Sequence, residues 1–300
     1  MGNIAKLFND PSQESYEENL GEELSGGCPA ALLYFYKQEG LPLKLDLWIL
    51  SFDDCRDTAL QVAYRQLLSP QELIQLDRFI FEHDRHRYLA SRALVRTVLS
   101  RLLSVSAREL VFGTGPYGKP HLDRLHPLMR RLSFNLSHTT DMAILGVTTD
   151  RALGVDVEKT DREAPIDAGN RYFSAVEAHS LNELITLDAR AKRFWSFWTL
   201  KESLIKATGR GLSTPLDRFG FIMEGNDGVS LQCADGTEEG ANRWWFGQWQ
   251  PSNTHLAAVC VERSRGSDRE TPMVRIVEVV PLRTERNITP HFIRVSADTL

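Results

Sequence analysis

Two phrases in the middle of the sequence carry the residue types that metal-phosphate chemistry needs. The first is Gly154-Val155-Asp156-Val157-Glu158 and the second is Trp198-Thr199-Leu200-Lys201-Glu202-Ser203-Leu204-Ile205-Lys206. On a strand the side-chain period is two, so Asp156 and Glu158 share one face while Val155 and Val157 point into the core. Two carboxylates that close raise each other's cost of ionising, and a divalent cation removes that penalty. On a helix, a turn of about 100° per residue puts Phe197, Leu200 and Leu204 on an inward face. It groups Trp195, Glu202 and Lys206 on the opposite side, with Lys201 beside that stripe. A surface Glu–Lys pair at this spacing is worth only a few tenths of a kcal/mol; a tryptophan on the same side points instead to a groove. Asp156, Glu158 and Glu202 match the oxygen donors that Mg²⁺ prefers, and Mg²⁺ keeps places for water and substrate phosphate. Arg87, Arg92, Lys119, His138 and Lys206 are available to neutralise a multiply charged phosphate.

These groups need strands and helices to hold them. Leu45–Phe52, Ser133–His138, Met142–Val147 and Ala152–Glu158 read as strands, the last two as an antiparallel hairpin turning at Thr149-Asp150-Arg151. Ser69-Pro70-Gln71-Glu72 is a capping box with proline at the first helical position, opening a helix over about 70–82. A second helix follows over about 84–103, with leucines at helical spacing and a basic face of Arg85, His86, Arg87, Arg92 and Arg96. Ser174-Ala175-Val176-Glu177 opens another helix to about 188, and the acidic-lysine helix runs over about 191–207 to Gly209. Further strands are expected near 219–223, 229–233, 244–250, 255–261 and 273–280. The glycine loop Gly113-Thr114-Gly115-Pro116-Tyr117-Gly118-Lys119-Pro120 matches a dinucleotide fingerprint literally. Its prolines forbid the helix that such a site requires, so it reads as a rigid loop presenting Lys119.

Composition bounds the function class. The 300 residues suffice for two modest domains; 42% are hydrophobic, 25% are charged, and the net charge is −5. That balance is ordinary for a globular protein and argues against a nucleic-acid binder. The four cysteines show no metal or CxxC spacing, which fits a reducing, cytoplasmic setting. No apolar run approaches the roughly 20 residues of a membrane span, and the N-terminus lacks a signal-peptide core.

Taken in order, YGKP (117–120), FNLSH (134–138), GVDVEK (154–159) and FWTLKESLIKATGRGL (197–212) resemble the signatures of the 4′-phosphopantetheinyl transferases. DRHRYLASRALVR (84–96) looks like that family's basic helix, and the likeness covers about residues 45–225. The long single chain is similar to the surfactin-synthetase-activating type. The resemblance implies an α+β fold of two similar α/β halves related by a pseudo-twofold axis. Each half would be a small, mostly antiparallel sheet packed with helices, with the active site in the cleft between them. The first half spans 45–150 and the second, with the metal site, 151–263. Residues 1–44 are expected as a partly ordered extension, with Ala30–Tyr36 docking, and 264–300 as a tail with a possible extra strand.

The activity implied is transfer of the 4′-phosphopantetheine arm of coenzyme A to a serine of an apo acyl or peptidyl carrier protein, releasing 3′,5′-ADP. By resemblance, Asp156, Glu158 and Glu202 hold Mg²⁺, with Mn²⁺ an alternative. Glu202, Asp156 and Lys206 are catalytic. Arg87, Arg92, Lys119, Ser137, His138, Lys201 and Lys206 contact coenzyme A. The chain is expected to work as a monomer, with no nucleic-acid or membrane partner, and residues Ala164–Phe173, with Ile166, Tyr172 and Phe173 exposed, are expected to meet the carrier. Some relatives place lysines in the helix after Ser-Pro, where this chain has Glu72 and Gln75. Two rival readings are a Mg²⁺-dependent pyrophosphatase acting on coenzyme A or nucleotides, and a carrier-binding module without turnover. The sequence leaves open whether the carrier serves fatty acid, polyketide or nonribosomal peptide synthesis.

Overall fold

The computed structural model describes residues 43–123, 131–211, 215–233, 238–264 and 271–296. The expected extension, including Ala30–Tyr36, lies outside them except for its last two residues. The first half opens with β1 (Lys44–Ser51), three helices α1 (Thr58–Arg65), α2 (Pro70–Asp77) and α3 (Glu82–Leu103), and a small ribbon of β2 (Phe112–Thr114) and β3 (Pro120–Leu122). It closes with β4 (Leu132–His138) and β5 (Met142–Thr149). The second half repeats the plan: β6 (Leu153–Lys159), then α4 (Ile166–Tyr172), α5 (Ala175–Asn182) and α6 (Leu187–Thr208). After β7 (Phe219–Glu224), β8 (Gly228–Cys233) and α7 (Glu238–Asn242) comes the closing hairpin of β9 (Trp244–Ser252) and β10 (His255–Glu262).

In each half the first strand pairs antiparallel with the last strand of the hairpin, giving β1-β5-β4 and β6-β10-β9. Each half also supplies one long helix of 22 residues, α3 and α6. The chain is thus built of two α/β halves of one topology, a repeat carried by element order rather than by sequence identity.

Alternation along the strands builds four layers. Leu45, Leu47 and Ile49 of β1 join Val155 and Val157 of β6 and Ala257, Val259 and Val261 of β10 in a core shared by the two sheets. The intervening residues Trp48 and Leu50 face α1–α3, and Leu256, Ala258 and Cys260 face α6. The order is therefore helices, sheet, sheet, helices. Strands β11 (Met273–Val280), β12 (Thr284–Ile288) and β13 (Phe292–Ser296) follow the second half. β11 runs parallel to β1, and β13 lies between β9 and β8, so this segment supplies three strands shared between the sheets.

Several local expectations are corrected. β5 and β6 do not form a hairpin: β5 is buried on both faces between β1 and β4, while β6 pairs with β10 in the other sheet. The Asp150 turn, at φ 54°, therefore carries the chain from one sheet to the other. The helix from Ser69 stops at Asp77, and that from Ser174 stops at Asn182, because α6 begins earlier than expected, at Leu187, with the Thr186 side chain accepting from the Ala189 amide. The basic face of α3 is only partly open to solvent. His86, Arg92 and Arg96 are buried, and Glu72 of α2 forms ion pairs with both arginines. Phe173 is core rather than surface, packed on Phe194 and Phe197, and Ile166 and Tyr172 are half-buried.

Candidate active site

The halves meet where the edge strand of one sheet, β4, faces the edge strand of the other, β6. The two strands do not share a backbone ladder. Instead, polar side chains on alternate residues of β4 reach β6: Asn135 Oδ1 accepts from Val155 N at 2.7 Å, and Ser137 Oγ accepts from Val157 N at 3.2 Å. This seam fixes the height of Ser137 and His138 against Asp156 and Glu158. On the other side, α6 lies unusually close to β6. A Cβ on Gly154 would stand 2.0 Å from Ser203 O and 2.3 Å from Ala207 N, so only glycine lets the helix approach. That contact brings Glu202 and Lys206 over the strand that carries Asp156.

The result is a knot of polar groups. Lys206 Nζ donates to Asp156 Oδ1 at 2.6 Å and to Ser137 Oγ at 2.9 Å, and Ser137 Oγ in turn donates to Asp156 Oδ1 at 3.2 Å. Asp156 is buried, and its second oxygen, Oδ2, has no hydrogen-bond partner. Glu158 receives the Trp198 indole N–H on Oε1 at 3.1 Å and the Arg162 guanidinium on Oε2 at 2.7 Å. Glu202 is half-buried and accepts no hydrogen bond from any described residue. Burial raises its pKa to about 7; Lys206 opposes the rise, and Asp156 and Glu158 add to it. Burial and the Asp156 charge likewise push Glu158 up, against Arg162. His138 goes the other way: burial, then Lys206 and Arg87, lower it to about 4, so its ring is neutral at pH 7. Its Nε2 is buried without a partner.

Of the residues singled out in the sequence, the fold brings Asp156, Glu158, Glu202, Lys206, Ser137, His138 and Arg87 into one electrostatic cluster. Three others stand elsewhere. Lys119 donates to Leu153 O at 2.9 Å and to Ala207 O at 3.0 Å, so it fastens the first half to the start of β6 and the last turn of α6; burial lowers its pKa to about 8. Lys201 points away from the cluster into the second core, ion-paired with buried Glu177 at 2.8 Å and donating to Leu216 O and Phe219 O. Arg92 is held by Glu72, with its guanidinium 4.5 Å from the Phe112 ring centre. Trp195 is also buried core rather than the wall of a groove, because α6 is covered on both sides. Sequence reasoning missed Trp198 and Arg162. Trp198 lies four residues before Glu202, a spacing that places both on one helix face and marks it as the better choice than Trp195. Arg162 gave no such signal, because it sits beyond the end of β6.

Among the described residues no three His, Cys, Asp or Glu side chains stand close enough to form a ready-made metal cluster. Lys206 and Arg162 occupy the positions next to two of the carboxylates instead. The donor set still suits a hard cation: an orphaned buried Asp156 oxygen, an unbonded Glu202, and Glu158 on the same strand face.

Two family models match the chain. One described as "4'-phosphopantetheinyl transferase, N-terminal" matches residues 56–150, and one described as "4'-phosphopantetheinyl transferase superfamily" matches residues 152–260. The chain is 32% identical over 172 residues to the 4'-phosphopantetheinyl transferase Sfp of Bacillus subtilis, a match covering 57% of this chain and 74% of that protein. The chain belongs to the 4′-phosphopantetheinyl transferase superfamily. This transferase is also 29% identical over 218 residues to a phosphopantetheinyl transferase of a Thraustochytrium species, covering 69% of the chain and 74% of the relative. It is 32% identical over 177 residues to an L-aminoadipate-semialdehyde dehydrogenase-phosphopantetheinyl transferase of Xenopus laevis, covering 56% and 58%. The break between the two family models falls at the Asp150 turn, where the transferase passes from one sheet to the other. No helix among its described residues is long and apolar enough to cross a membrane.

Proposed function

We propose that the chain transfers the 4′-phosphopantetheine arm of coenzyme A to a serine of an apo acyl or peptidyl carrier protein, working as a monomer because both halves of its cleft come from one chain. The observation that carries this reading is the Ser137–Asp156–Lys206 knot with Glu202 beside it, formed where the two family-matched halves join. Asp156, Glu158 and Glu202 would hold Mg²⁺, which supplies positive charge against the pyrophosphate oxygens. Lys206 Nζ, already the shared donor of the knot, is the protein's own cation for the same phosphates. His138, neutral and with a buried Nε2 lacking a partner, offers a hydrogen bond to a phosphate oxygen without adding charge. Arg87, partly exposed and 3.5 Å from Asp84, adds positive potential on the nucleotide side. Arg92, Lys119 and Lys201 are assigned structural work instead, since each is already held by protein groups.

In the transfer itself the carrier serine Oγ attacks the β-phosphorus of coenzyme A. An Oγ–P bond forms and the bond from that phosphorus to the bridging oxygen breaks. 3′,5′-ADP leaves with the electron pair, and the serine proton passes to Glu202, directly or through a water.

Intact mass spectrometry of several apo carriers incubated with the protein, Mg²⁺ and coenzyme A tests the proposal. The expected result is a gain of one phosphopantetheine arm on a serine. Consumption of coenzyme A without any carrier would instead identify a pyrophosphatase, and no change in either assay would leave only a binding module.

A further inference from the structure

Beside the catalytic knot a second network crosses between the halves, built on Asp141 in the turn between β4 and β5. Its Oδ1 accepts from His255 Nε2 at 2.7 Å and its Oδ2 from Lys159 Nζ at 2.8 Å. His255 opens β10 and Lys159 ends β6, so a first-half turn is tied to the two strands that frame the carboxylates. Asp141 O also accepts from Phe52 N at 2.9 Å, and Phe52 O accepts from His86 Nε2 at 2.7 Å. One residue therefore links the end of β1, the first turns of α3 next to Arg87, the turn that follows His138, and the strand that bears Glu158. Burial opposes ionisation of Asp141, but the bonds from Lys159 and His255 hold its pKa below the usual carboxylate value.

Ser252 Oγ lies 2.7 Å from His255 Nδ1, which completes the side-chain types of a hydrolytic triad. That serine is committed elsewhere: it accepts from Thr254 N and lies 3.3 Å from Thr254 Oγ1. The network is a brace rather than a nucleophile. We infer that Asp141 is a positioning residue which, through Lys159, His255 and Phe52, holds the His138 turn in register with the carboxylate strand and so sets how well coenzyme A is gripped. This rests on the proposal that His138 faces the phosphates of coenzyme A.

The test compares the full chain with Asp141→Ala and Asp141→Asn, measuring coenzyme A binding by calorimetry and steady-state transfer, with circular dichroism and melting to check folding. The expected result for Asp141→Ala is a rise in Kd and KM for coenzyme A of roughly tenfold, with kcat within about twofold and KM for the carrier unchanged. Asp141→Asn, which keeps one acceptor oxygen, falls between. Wild-type KM in Asp141→Ala overturns the inference. So does a fall in kcat at constant KM, which signals only a smaller folded fraction. If Asp141→Ala does not fold, His255→Gln is read by the same two criteria. If the unaltered chain neither binds coenzyme A nor modifies a carrier, the coenzyme A reading itself fails and this inference with it.

Discussion

Asp156 is the buried carboxylate on which both Lys206 and Ser137 converge. Replacing it with Asn keeps the shape but removes the charge that Lys206 and a cation need, and transfer is expected to fall on the order of 10²-fold or more while the circular dichroism spectrum stays the same. Glu202 gives a prediction with a pH sign. Its carboxyl titrates near 7 in the folded chain against an ordinary 4.5, so between those values the native state holds a proton that the unfolded chain releases. Stability is therefore lost as pH rises through that window, and the cost is complete above about 7. Glu202→Gln should abolish transfer yet melt higher than the parent at pH 8, with little difference at pH 4.5; equal melting temperatures at pH 8 would contradict the assigned environment. The shared strand face of Asp156 and Glu158 was legible from a period of two, and the Glu202–Lys206 pair from helical spacing. What spacing could not show was which cations are already taken. Lys201 is one residue from Glu202, yet a buried Glu177 on another helix claims it, and only the tertiary fold reveals that.

At the scale of elements, the contact between α6 and β6 decides whether the site exists. Gly154→Ala places a methyl group against helix backbone, which cannot swing aside as a side chain can. Destabilisation of roughly 1–3 kcal/mol is expected in denaturant melts, together with a drop of about tenfold or more in turnover as Glu202 and Lys206 are pushed off the strand. The Glu177–Lys201 pair holds the other flank of α6. Glu177→Leu alone leaves a buried ammonium without its anion and should cost about 3–5 kcal/mol, whereas Glu177→Leu with Lys201→Met should recover much of the loss. A double variant as unstable as the single one would show that the pair does more than neutralise itself. Strand and helix positions were largely readable from periodicity and capping boxes. The partnership of strands was not: β5 and β6 adjoin in sequence and carry a good turn, but β5 is buried on both faces between β1 and β4 of its own sheet.

Across the whole molecule, the core between the two sheets draws on both halves, so neither half can bury its inner face alone. Thermal unfolding should follow as one cooperative transition, with calorimetric and van't Hoff enthalpies in agreement; two resolved transitions would mean that the halves are independent. The repeated plan of the halves was implied by family resemblance and is invisible as sequence identity, because the repeat lies in strand order while the side chains have diverged between a helix-gripping first half and a carboxylate-bearing second. The placement of β11 and β13 adds a temporal dimension. Both strands come late in the chain, and one slots between β1 and β12 while the other wedges into the middle of the second sheet. A nascent chain emerging from the ribosome thus carries all of its presumptive chemistry before either sheet is finished. Shortened after residue 264, it loses β11 and β13 and should accumulate as an insoluble product rather than a weak enzyme, which the soluble fraction on expression would show.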